Sequence, residues 1–320
     1  MFPSIWIEEA QKRIAPHIRP TPLQHDEEFG LYIKWENKQL TGSFKLRGAV
    51  NKILSLQPWE IERGIVAASA GNHGQGVALA ASLVGVKAIV FASEHAVPSK
   101  LEAIRSLGAE VRLVEGGYGE AENAGIAFAA QSGAAWVSPY NDGQVIAGQG
   151  TIGWEIIQSL DQASNCTWVV PAGGGGLIAG IGAAIKTHPK DTAKLCLMKL
   201  VGIQSEASPF LHHIYHHGTQ VGCHELPSLA DGLAGPVEEG SLTIPLVRRY
   251  VDDFRLVSES EIIEAVRFAW QRYKERIEGS AAAALAAVLT GKISERPAVI
   301  IVSGGNIQPE VHQHIISGQL

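Results

Sequence analysis

The chain has 320 residues, 46% of them apolar and 18% charged, with a formal net charge of −6. This size supports two lobes around a substantial core, and the balance excludes a disordered or fibrous chain. Charges of both signs are scattered, which excludes the basic stripe of a nucleic-acid binder, and no apolar run reaches the roughly 18 residues needed to cross a bilayer.

Short β-branched runs alternate with longer amphipathic or alanine-rich segments. Strands are predicted at Leu31–Glu36, Ile65–Ser69, Ala88–Ala92, Val111–Val114, Trp136–Ser138, Thr167–Pro171, Leu200–Gln204 and Ala298–Ser303. Between them the pattern predicts helices at Ala49–Leu56, His73–Leu83, Ser99–Leu107, Gly176–Lys186 and Glu261–Arg276. Such alternation implies an α/β fold of parallel sheets flanked by helices, and no repeat of roughly 20–50 residues marks a solenoid. Residues 66–143 contain enough strand–helix units for a small lobe, and Asp142–Gly150 reads as the crossing back into a larger one built from 1–65 and 144–320. Ligands of open α/β sheets bind beyond the carboxyl ends of strands, so the cleft between the lobes is the expected site.

In Thr41-Gly42-Ser43-Phe44-Lys45, Ser43 is placed to cap a helix, which sets Lys45 in its first turn. The positive helix end and burial both disfavour an ammonium there and favour the neutral amine that attacks an aldehyde. A lysine exposed near a helix start is the plainer alternative. Far downstream, Gly173–Gly176 follows the apolar run Trp168–Pro171 and opens the helical stretch Leu177–Gly180. A strand, then glycines, then a helix N-terminus forms an anion site from backbone N–H groups. Gly174, Gly176 and Ala179 also fit the G-x-G-x-x-A of a dinucleotide fold, but the next strand ends at Gln204 where that fold needs an acid. A tight packing turn is the other alternative. Amine and phosphate cradle together match the two ends of pyridoxal 5'-phosphate. Ser69-Ala70-Gly71-Asn72-His73-Gly74 also follows a strand and opens a helix, offering N–H groups to a carboxylate. Ser303-Gly304-Gly305-Asn306 ends the last apolar strand and places a hydroxyl at the cleft edge; either stretch could be an ordinary turn.

In this order, and with Val145–Thr151, Ala230-Asp231-Gly232 and Glu278-Gly279-Ser280-Ala281, these stretches resemble the fold type II pyridoxal-phosphate enzymes, specifically the threonine/serine dehydratase and serine racemase group. The resemblance covers nearly the whole chain and implies a two-lobe fold like that of the tryptophan synthase β subunit. It implies that Lys45 forms the Schiff base with the cofactor and then removes the substrate α-proton. Phe44 would pack near the ring, Asn72 would bond its phenolic oxygen, and Ser303 would face its nitrogen. Gly173, Gly174, Gly175, Gly176 and Leu177 would hold the phosphate, with Gly232 beside the cofactor. Ser69, Ala70, Gly71, Asn72 and His73 would receive the substrate carboxylate, and Asp231 would lie near the substrate. The implied reaction is dehydration of L-threonine or L-serine to a 2-oxo acid and ammonia. The expected partners are a small amino-acid substrate and a second copy of the chain, with no nucleic acid and no membrane.

Departures from the pattern discriminate within the group. Ala70 stands where racemases carry a serine that works on the opposite face of the ring, and Tyr140 stands where dehydratases carry an aromatic. Both favour dehydration over racemisation; a 3-hydroxyaspartate dehydratase is a further alternative, and a non-catalytic cofactor-binding regulator a distant one. The positions of the racemase cation are Gln204, Ser208 and Phe210, which lack the carboxylates a hard cation needs, and Glu206 would reach only if the loop shifted. No metal is therefore expected. His212, His213, His216, His217, Cys223 and His224 include i,i+4 pairs of the kind that bind zinc, but the neighbouring Leu211, Ile214 and Tyr215 favour a half-buried surface helix. Ala281–Ala287 implies close helix packing. The N-terminus lacks a basic lead and apolar block, and Cys166, Cys196 and Cys223 show no C-x-x-C spacing, so reduced thiols and a cytoplasmic location are expected. The short stretch after Ser303 leaves no room for a regulatory domain, which suggests a catabolic role.

Overall fold

Two sheets organise the chain, and the computed structural model describes residues 2–3, 5–160, 166–188 and 198–320. Cys196 lies outside the described residues, as do Met1 and Ser4. The strands are β1 (Leu23–Asp26), β2 (Leu31–Trp35), β3 (Ile65–Ala68), β4 (Ala88–Ser93), β5 (Glu110–Val114), β6 (Ala135–Trp136), β7 (Thr167–Pro171), β8 (Lys199–Ser205), β9 (Asp253–Val257) and β10 (Ala298–Val302). One sheet has six strands in the order β1-β2-β10-β7-β8-β9, and the other has four in the order β5-β4-β3-β6. Every pairing is parallel except that of β1 with β2. The central strands Thr-Trp-Val-Val-Pro and Ala-Val-Ile-Ile-Val are buried along their whole length because helices cover both faces. All eight anticipated strands are present, with Trp136–Ser138 realised as the shorter β6. The unanticipated β1 and β9 are edge strands with exposed positions, so neither carries a continuous apolar signal.

One local expectation is corrected. Ser43 does not cap the helix Lys45–Leu54; the cap position is Phe44, with no side-chain bond. Ser43 instead forms a backbone bridge with Gly304, and its Oγ is buried without a partner. The Phe44 N–H donates to the Ser303 carbonyl at 3.0 Å. Pairing with the far end of the chain has taken the backbone that a local cap would have used, yet Lys45 still opens the helix. The segment read as a crossing is the start of the helix Gly143–Ser159, capped by Asp142 through the N–H groups of Gln144 and Val145.

Small residues set how closely the helices approach. A Cβ on Gly180 would lie 2.4 Å from the Ile146 carbonyl oxygen, and one on Gly148 would lie 2.6 Å from that of Arg47. The helix Gly143–Ser159 therefore touches both Gly176–Thr187 and Lys45–Leu54 backbone to backbone. The alanine-rich helix Gly279–Leu289 is buried and packs against β7, β10 and the helix Glu259–Tyr273. Among the described residues no helix is long and apolar enough to cross a membrane.

Behind the Lys45 helix lies a buried charge network. Arg47 Nε bonds Glu36 Oε2 at 2.7 Å, and its Nη1 bonds Glu155 Oε1 at 2.6 Å. Lys34 Nζ takes the other Glu155 oxygen at 2.6 Å and also donates to the Thr21 carbonyl at 2.7 Å. Two cations and two carboxylates balance, so removing one cation leaves a buried charge uncompensated. A hollow of about 500 Å³ beside Lys34 and Glu155 includes none of the anticipated site residues in its lining. Arg47→Ala should destabilise the protein by about 3–5 kcal/mol, read as a lowered urea midpoint in equilibrium unfolding.

Candidate active site

The stretches singled out in the sequence meet in a closed ring of contacts. Lys45 Nζ donates to the Pro139 carbonyl at 2.9 Å, and the next residue, Tyr140, lays its ring on the glycine loop. A Cβ on Gly174 would sit 2.5 Å from Tyr140 Cδ1, so only glycine leaves room for the ring. On the other side, a Cβ on Gly173 would meet Leu233 Cα at 3.0 Å. The Gly232 N–H donates to Ser280 Oγ at 2.9 Å. Two residues back from that serine, Glu278 accepts the Asn72 amide Nδ2 on both oxygens, at 2.8 and 3.0 Å. Asn72 Oδ1 accepts from Asn306 Nδ2 at 2.6 Å, and Asn306 Nδ2 also reaches the Thr41 carbonyl at 2.8 Å. The Ser43–Gly304 bridge then returns the ring to Lys45.

The amine end is tuned by its surroundings. Burial pulls Lys45 down to about 8, with the charge of Glu278 acting in the opposite direction. The Phe44 ring centroid lies 5.2 Å from Nζ. His73 is buried, with Nε2 2.8 Å from the Val137 carbonyl; a carbonyl only accepts, so Nε2 carries the hydrogen. Burial, and then the nearby Lys45 charge, hold His73 down to about 3, so its ring is neutral at physiological pH.

The other end is a cradle of donors. The helix Gly176–Thr187 begins after Gly175, whose φ of +90° favours glycine. Among the described residues no acceptor lies on the backbone N–H groups of Gly173, Gly174, Gly175, Gly176 or Leu177. Thr243 Oγ1 donates to the Gly174 carbonyl at 2.7 Å and fixes the loop from outside. Free N–H groups at a helix N-terminus fit a phosphate, and an amine with a suppressed pKa fits an aldehyde. The residues present therefore fit both ends of pyridoxal 5'-phosphate.

The remaining anticipated residues fall in different places. Ser69 Oγ accepts from the Gly71 N–H at 3.0 Å within the loop that contains Ala70. Asp231 is at the rim, its side chain 64% exposed and bonded to Lys100 at 2.9 Å. Gln204 is buried, its Oε1 accepting from the His212 N–H at 2.6 Å, while Ser208 Oγ accepts from the Gly235 N–H at 3.0 Å and Phe210 is in the core. In the histidine-rich helix Phe210–His217, the rings of His212 and His216 lie 4.5 Å apart, and His213 Nδ1 contacts the Thr219 carbonyl at 2.6 Å. Sequence reading assigned no role to Glu278, Asn306 or the Pro139 carbonyl. The one available signal was an acid directly before an alanine-rich buried helix.

This fold and this ring of contacts define a pyridoxal-phosphate site. The chain matches the family of pyridoxal-phosphate dependent enzymes over residues 14–304 and belongs to it. It is 40% identical over 318 residues to an L-threonine ammonia-lyase of Thermotoga maritima, covering 97% of this chain and 77% of that protein. Its fold superposes on threonine deaminase isoform 2 of Solanum lycopersicum with a TM-score of 0.87 at 29% identity, covering 98% of this chain and 94% of the other. Serine racemase of Dictyostelium discoideum superposes with a TM-score of 0.85 at 33% identity, covering 95% and 98%. The fold is that of the fold type II enzymes, and the cofactor is pyridoxal 5'-phosphate.

The Lys45 value has a direct consequence. In cofactor-free protein, the rate of pyridoxal phosphate capture, followed by absorbance, should rise about tenfold per pH unit below 8 and level off above it, because only the neutral amine reacts. A rate still climbing at pH 10 would contradict the lowered Lys45 value.

Proposed function

We propose that the protein deaminates L-threonine, L-serine or a close β-hydroxy amino acid, giving a 2-oxo acid and ammonia. The observation that carries this reading is Lys45, an amine opening a helix, lowered to about 8 and joined to the cleft through Pro139, in a chain 40% identical to an L-threonine ammonia-lyase. Bound pyridoxal phosphate supplies an aldehyde for amines and a ring that withdraws electrons from the substrate α-carbon. Lys45 Nζ, in its neutral form, takes the α-proton and then offers a proton to the departing β-hydroxyl.

The other residues bind and orient. The N–H groups of Gly173, Gly174, Gly175, Gly176 and Leu177 would hold the phosphate, with Phe44 and Gly232 beside the ring. Asn72 would donate its remaining amide hydrogen to the phenolic oxygen. Ser303 would face the ring nitrogen with an uncharged hydroxyl, which supplies no proton-stabilising charge there. The loop Ser69, Ala70, Gly71, Asn72 and His73 receives the substrate carboxylate at a helix N-terminus, with Asp231 closing the rim. The Ala70 side chain neither donates nor accepts a proton, which supports dehydration over inversion, since inversion needs a second base on the opposite face.

Residues 66–143 form a small lobe against a large lobe of 1–65 and 144–320 in this reading, supported by the separate sheet of β3 to β6. The working form is a cytoplasmic homodimer.

Cofactor-loaded protein given L-threonine and L-serine in parallel should release 2-oxobutanoate and pyruvate with equal ammonia, and the two rates set the preference. Lys45→Ala should still bind the cofactor through its phosphate but lose turnover by a factor on the order of 10³ or more. Sustained multiple turnover by that variant would remove Lys45 from its role.

A further inference from the structure

Glu278 is a buried carboxylate that the reaction above leaves unused. It directly precedes the helix Gly279–Leu289 but makes no side-chain cap there. Only 8% of it is exposed, and among the described residues no lysine or arginine pairs with it. A buried acid without a counter-ion needs a specific reason to be present. Its surroundings are built around it. A Cβ on Gly304 would lie 2.6 Å from Glu278 Oε1, so glycine at that position leaves the carboxylate room where it sits.

Both Glu278 oxygens accept from one donor, Asn72 Nδ2. The other atom of that amide, Oδ1, accepts from Asn306 Nδ2 at 2.6 Å. Turning the Asn72 amide over would set its oxygen against a carboxylate and its nitrogen against another NH₂ group. Ionised Glu278 therefore allows one orientation. The two oxygens of one carboxylate lie too close together to take both diverging amide hydrogens, so they share one, and Nδ2 has no other acceptor among the described residues.

We infer that Glu278 is a positioning residue of this site: it fixes the Asn72 amide so that its spare N–H is free for the cofactor. It rests on the proposed contact of Asn72 with the cofactor. Two charged groups, Asp231 and Lys100, each from its own element, bear on Glu278. Burial raises it to about 7, the Asn72 bond lowers it, Asp231 raises it, Lys100 lowers it, and the Asn306 backbone lowers it. The Glu278 charge in turn acts to raise Lys45. Above pH 7 the carboxylate is ionised, so both the orientation and the charge effect are present; below it, protonation weakens both.

The test uses full-length protein with pyridoxal phosphate as the probe. In the cofactor-free form, Glu278→Gln should move the pH midpoint of pyridoxal phosphate capture below the wild-type value, while Glu278→Asp, which keeps the charge, should stay near it. A purely structural role would not separate these two variants. Glu278→Asp withdraws the carboxylate from Asn72 and should weaken cofactor affinity about tenfold, as should Asn72→Ala. The double variant should be no weaker than either single one. An unchanged midpoint in folded Glu278→Gln, or independent losses in the double variant, would overturn the inference. Should Glu278→Gln not fold, the affinity of Glu278→Asp decides, and wild-type affinity there overturns it. Absence of 2-oxo acid release would defeat the proposed reaction alone, because the capture midpoint is read without substrate.

Discussion

The backbone bridge between Ser43 and Gly304 joins the loop that carries the reactive lysine to the end of the last strand. Much of the site is arranged from that seam. It places the Phe44 N–H on the Ser303 carbonyl and starts the helix at Lys45. It also brings Asn306 within reach of Thr41, 265 residues away along the chain, and of Asn72. Parallel sheet geometry makes such a seam available, because β2 and β10 are neighbours whose carboxyl ends point the same way.

Two buried polar systems flank the Lys45 helix, and they differ in kind. Behind it, Arg47 and Lys34 are matched by Glu36 and Glu155, so the charges cancel and the network serves as an anchor. In front, Lys45 and Glu278 are both buried, and among the described residues no ion pair joins them. Burial there pushes the amine down and the acid up, to about 8 and about 7, and leaves each able to change protonation near neutral pH. The anchor matters to the site because it fixes the helix on which the tunable amine sits.

Close backbone approach recurs wherever the site must be tight. Gly173 and Gly174 leave room for Leu233 and the Tyr140 ring, Gly304 for Glu278, and Gly148 for the Arg47 backbone. Each glycine removes a side chain at a contact between segments distant in sequence. The glycine run therefore does two jobs, exposing N–H groups and admitting neighbours.

The sequence alone determined the α/β class, eight of the strands, the amine at a helix start and the glycine cradle. Those features depend on local patterns: apolar periodicity, β-branched runs, and glycines between a strand and a helix. Edge strands β1 and β9 escaped because their exposed faces dilute that pattern. Tertiary structure alone decided that Ser43 is a bridge and not a cap, since its backbone is claimed by Gly304 from the far end of the chain. It alone decided that Glu278 reaches Asn72, 206 residues away, and that His73 bonds the Val137 carbonyl. The physical reason is the same in each case. A residue's partner and protonation depend on burial and on neighbours brought by the fold, and neither is written in the residues beside it.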